Sequence, residues 1–73
     1  MYIVIEIQHN FDGTTGCIVN SYADRAVAEQ KYHMVLSAAA VSAVYIHSAV
    51  MLDARGSKLK SETYSHAEVS ENV

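Results

Sequence analysis

The hydrophobic period of this chain changes twice, and that pattern limits the fold more than any single residue does. Tyr2 to Gln8 alternates, with Ile3, Ile5 and Ile7 on one side and Tyr2, Val4, Glu6 and Gln8 on the other, as a β-strand requires. From Tyr22 to about Ser42 there is no glycine or proline, alanine is abundant, and the apolar residues recur at helical spacing. Val44 to Asp53 returns to period two, with Val44, Ile46, Ser48, Val50 and Leu52 on one face.

Local signals fill the gaps. His9 to Gly16, with Asn10, Asp12-Gly13 and Gly16, has the composition of a hairpin loop, and Cys17 to Asn20 reads as a short second strand. Ser21 and Asp24 have the spacing of a capping box at the helix start. Arg55-Gly56 marks a tight turn, after which Lys58 to His66 forms the fourth strand. Pairing Ala54 with Ser57 sets Leu52 opposite Leu59, Asp53 opposite Lys58, Met51 opposite Lys60, His47 opposite Tyr64 and Tyr45 opposite His66.

The expected fold is therefore α+β with element order ββαββ. A right-handed crossover through the helix places strand three beside strand one, giving a four-stranded antiparallel sheet in the order 2-1-3-4 with the helix on one face. Residues 1–66 form this single domain, and 67–73 read as a flexible acidic tail. On the helix, Ala28, Tyr32, Val35 and Ala39 make one apolar stripe, and Ala23, Val27, Met34, Ala38 and Val41 make another. One stripe suits the sheet and the other a partner.

Size makes a partner expected. With 73 residues the chain buries only about 60% of the surface its unfolded form exposes, and domains this small usually add disulfides, metals or other subunits. The single cysteine, Cys17, excludes an internal disulfide, and His9, His33, His47 and His66 lack the spacing of a zinc site. A homo-oligomer follows by elimination, with no cofactor and no metal called for. The sheet face carrying Tyr45, His47, Met51, Tyr64 and His66 is expected to lie uncovered and to form either the interface between copies or a pocket at that seam.

Charge narrows the partners further. Five Lys and Arg against eight Asp and Glu give a net charge of −3, which argues against binding a nucleic-acid polymer. No segment has the pattern of a signal peptide or a membrane span, and the unpaired cysteine agrees with a cytoplasmic location. A small anionic ligand remains open to the one basic cluster, Arg55 to Lys60, and to Lys31, which lies between the two helix stripes. No catalytic motif stands out. Ser48 points away from His47, and the best acid–base pair on the expected face is His47 with Glu62.

The segments Ala28-Glu29-Gln30-Lys31-Tyr32-His33, Ala38-Ala39-Ala40-Val41-Ser42 and His47-Ser48-Ala49-Val50-Met51-Leu52-Asp53 resemble a family of small proteins of unknown function in gut bacteria and their phages, over roughly residues 2–66. The resemblance implies a context and assigns no residue a role: solitary phage domains of this kind often inhibit host defence, by binding a host protein or by sequestering a nucleotide signal. The expectation is a non-enzymatic, homo-oligomeric binding protein, a phage-type defence antagonist holding a small nucleotide-like ligand at the subunit seam. Its ligand-binding residues are then Tyr45, His47, Tyr64, His66, Glu62, Arg55, Lys58 and Lys31. The alternatives are an inhibitor that binds a host protein directly and a small dimeric enzyme using His47 and Glu62.

Overall fold

The structure, a computed structural model, describes residues 1–66, so the tail expected at 67–73 lies outside the described residues. Its elements are β1 (Tyr2–His9), β2 (Thr15–Tyr22), α1 (Arg25–Ala40), β3 (Ile46–Asp53) and β4 (Lys58–Ser65). All neighbouring strands are antiparallel in the order β2-β1-β3-β4, which is the expected α+β topology.

Several boundaries move, each for a local reason. β2 extends to Tyr22 because every residue from Thr15 to Tyr22 finds a partner in β1, so Ser21 belongs to the strand and cannot cap the helix. Asp24 is the N-cap instead: its backbone is extended and its carboxylate accepts from the Ala26 N–H at 2.8 Å. The β1–β2 loop tightens around Asp12, whose carboxylate accepts from the Thr14 N–H and hydroxyl, while Gly13 takes a φ of 90°.

The second hairpin corrects the expected register near its turn. The Asp53 carboxylate accepts from the N–H groups of Arg55 and Ser57, both at 2.9 Å, and is thereby committed to the turn rather than to Lys58. Gly56, at φ 84°, closes a three-residue loop in which Asp53 and not Ala54 opposes Ser57. A register shift between Met51 and Leu52 absorbs the difference, so Leu52 pairs with Lys58 while Leu59 packs against the core. Beyond it the expected pairs return: Met51 with Lys60, Ala49 with Glu62 and His47 with Tyr64.

The larger correction concerns which face the helix covers. Ala28, Tyr32, Val35 and Leu36 of α1 pack with Val4, Ala49 and Met51, and Tyr2, Tyr22, Leu59 and Tyr64 close around them. The Tyr/His face of the sheet is thus the covered one, and among the described residues nothing covers the Ile3/Ile5/Ile7 face, the open face of the sheet. Both faces carry enough apolar surface to form a core, so hydrophobicity alone does not choose between them. For a helix crossing between two strands, the handedness of the connection decides the side on which it lands. Small residues on both layers then permit close approach: Ala28, Ala39 and Ala49 have no exposed surface at all. Of the two helix stripes, the one containing Ala28, Tyr32, Val35 and Ala39 faces the sheet, joined by Leu36, and the other leaves Met34 60% and Val41 86% exposed.

Candidate functional site

Among the described residues His47 is the one buried polar residue, 4% exposed, and it is there because it stands on the covered face of β3 opposite Tyr64 and Gln8. Both ring nitrogens are engaged. Nε2 lies 2.6 Å from the Glu6 Oε2 atom and Nδ1 lies 3.0 Å from the Ser42 hydroxyl. Glu6 Oε2 also accepts from the Gln8 side-chain amide at 3.0 Å. Burial pushes the Glu6 carboxyl up, but hydrogen bonds from His47 and then Gln8, with the charges of His47 and Lys31, outweigh it and hold the group below its usual 4.5. With Glu6 ionised, the Nε2–H donates to it.

The remaining proton of this chain has two places to go. Ser42 has one hydroxyl hydrogen, and its oxygen is also 3.2 Å from the Ala39 carbonyl at the end of α1. When the imidazole is neutral, the hydroxyl donates to Nδ1; when it is charged, Nδ1–H donates to the hydroxyl, which turns to Ala39. Serine, histidine and carboxylate in series suggest an activated nucleophile, but the position of Ser42 argues against that use. It sits beside the Ala39 carbonyl at the C-terminal end of a helix, whose negative potential would destabilise an oxyanion formed there. The chain acts as a tie between the first strand, the third strand and the helix end.

The other expected site residues are not gathered around His47. His66 lies at the same end of the fold, where its Nε2–H donates to the Ala39 carbonyl at 2.8 Å and its backbone N–H donates to the Tyr45 carbonyl at 2.8 Å. Tyr45 is exposed, with its ring 5.0 Å from that of Phe11, and Tyr64 is half-buried against the core. Glu62 is exposed opposite Ala49, so the His47–Glu62 pair does not form: Glu6, on the neighbouring strand, is the carboxylate that His47 meets. Lys31 is half-buried near Glu6. Arg55 and Lys58 stand at the β3–β4 turn, about 20 Å along the strand from His47. Gln8 and Ser42 belong to the His47 cluster although sequence reasoning passed over them. Gln8 was recoverable from the strand pairing; Ser42 was not, because it is positioned by the end of the helix.

The open face of the sheet is a different kind of surface. Ile3, Ile5 and Ile7 of β1 run down its middle, flanked by Val19 of β2 and by Ile46, Val50 and Leu52 of β3. Toward β4 it becomes hydroxylated, and Ser48 and Thr63 share a hydrogen bond of 2.9 Å. Four strands of eight residues span about 500 Å² in plan, and side chains standing off the sheet enlarge the accessible area. Lys58, paired with Leu52, and Arg55 beyond it mark one end of this face. Comparison with protein-family models, with curated proteins and with solved structures gave no match.

Proposed function

We propose that this protein is a non-enzymatic, homo-oligomeric binding protein whose copies associate through the open aliphatic face. The observation that supports this reading is that face itself: a run of isoleucine, valine and leucine across three strands that no described element covers, the one helix lying on the other side. Its plan area of about 500 Å² is somewhat below the roughly 800 Å² that each partner contributes to a standard interface. Its centre is free of charge, so a two-fold axis through it would bring no like charges together.

The seam then differs from the one expected from sequence. Tyr64 and His47 are on the covered side and supply no stacking surface, whereas Arg55 and Lys58 sit at the rim of the open face. A nucleotide-like ligand would be held there by its phosphate rather than by its base. In the setting of a phage-type defence antagonist this is a sequestering role, while direct inhibition of a host protein would use the same open face against another chain.

Native mass spectrometry and isothermal titration with cyclic and linear nucleotides test the reading together. The expected result is a dimer or higher oligomer that Ile5→Lys dissociates, with heat of binding that Arg55→Ala removes. A wild-type monomer would overturn the oligomer. Oligomers that give no heat with any nucleotide would overturn the sequestering role alone.

A further inference from the structure

We infer that β2 is a second self-association element: its outer edge pairs with β2 of another copy, antiparallel, to make one continuous eight-stranded sheet. The backbone groups that point outward can be assigned. The Asn10 N–H donates to the Thr14 carbonyl at 2.8 Å, and in an antiparallel ladder hydrogen-bonded pairs alternate, so Gly16, Ile18, Asn20 and Tyr22 face β1. The N–H and C=O groups of Thr15, Cys17, Val19 and Ser21 therefore face away from the sheet, on a strand that is its terminal member.

Edges of this kind are usually blunted by charge, proline or a bulge. β2, with the sequence TGCIVNSY, has none of these. The opposite edge has two: β4 carries Lys58, Lys60 and Glu62, and the shift at Met51/Leu52 interrupts its ladder. One protected edge and one bare edge allow the sheet to extend once and then stop, which gives a closed pair rather than a fibre.

The occupant that fits is a second copy. A two-fold axis through Ile18 sets Thr15 opposite Ser21 and Cys17 opposite Val19, polar against polar and apolar against apolar, with about eight new ladder bonds. The strand carries no charge, so the self-pairing meets no like-charge clash. It also covers Ile18 and Val19, which are 53% and 58% exposed in the single chain. Because the axis is perpendicular to the sheet, both helices lie on one side and both aliphatic faces on the other.

Charge exchange at the axis tests this pairing. Ile18→Lys and Ile18→Glu replace an exposed side chain, and circular dichroism confirms that each variant retains its fold. Light scattering after size exclusion should show each variant at half the wild-type mass, and an equimolar mixture of the two at the full mass again. Val19→Pro removes one outward N–H without touching the β1 ladder and should halve the mass as well. The proposal is overturned if the Ile18 variants keep the wild-type mass when separate, or if mixing them restores nothing. Sensitivity to Ile5→Lys alone would support association through the open face and overturn the edge pairing, so failure of either idea is visible separately.

Discussion

Met51 and Val50 are adjacent in β3 and point to opposite faces, which makes them a direct test of where the core lies. Met51 has no exposed surface and sits among Val4, Ala28, Tyr32 and Ala49. Two of those four neighbours are alanines and cannot swing in to fill a vacancy. Met51→Ala should therefore cost about 2–5 kcal/mol through lost burial and an unfilled cavity. A chain of this length has about 4–11 kcal/mol of total stability, so the variant gives up a large share of it, and the melting temperature should fall by about 10 °C or more. Val50 is half-buried on the open face, and Val50→Ala should cost less than about 1 kcal/mol in a single chain. The assay is thermal and urea unfolding followed by circular dichroism over a wide range of protein concentration. The Met51→Ala penalty should persist in dilute solution, whereas the Val50→Ala penalty should grow as copies associate over that face. Equal penalties for the two variants in dilute solution would refute the placement of the helix.

Two further outcomes follow from single contacts. The Glu6 carboxyl is held below its ordinary value of 4.5, so its contribution to stability is present above that pH and is lost as pH falls through the lower folded value. Glu6→Gln should lower stability at neutral pH by about 1–3 kcal/mol and flatten the acid limb of a urea-midpoint profile; an unchanged limb would mean that the His47 contact contributes nothing to it. Gly56 has a φ of 84° with open space around it, so Gly56→Ala should cost about 1–2 kcal/mol from the backbone alone, read as a shift in the urea midpoint. No loss there would show that the turn adopts another conformation.

The strand order and most of the pairing were legible in the sequence because period-two alternation and short turns are local properties. His47 opposite Tyr64 and Met51 opposite Lys60 follow from counting back from one hairpin. The count failed close to the turn, where one carboxylate, Asp53, bonded the loop and moved the register of Leu59. The face of the sheet was harder to read. Tyr2, His47 and Tyr64 look less like a core than Ile3, Ile5 and Ile7 do, yet Glu6 and Ser42 satisfy the buried imidazole and the tyrosine rings close the rim of the core. Residue type marked the less aliphatic face as the exposed one, and its hydrogen-bond partners were the missing information. Those partners come from a strand and a helix end distant in sequence, which no local pattern reveals.

Glu6 and His47 are 41 residues apart along the chain, and this separation bears on how the protein is made. β1 is synthesised first and can pair with β2 at once, but its other side waits for β3, which follows the whole helix. Until then the Ile3, Ile5 and Ile7 backbone groups that will face β3 are unpaired, and Val4 has no Met51 to pack against. A nascent chain halted within α1 is a hairpin with two open edges and no core. Closing that gap requires a long loop to form before any contact rewards it, so folding should be slow for a domain of this size, with the final strands emerging before the first one is secured.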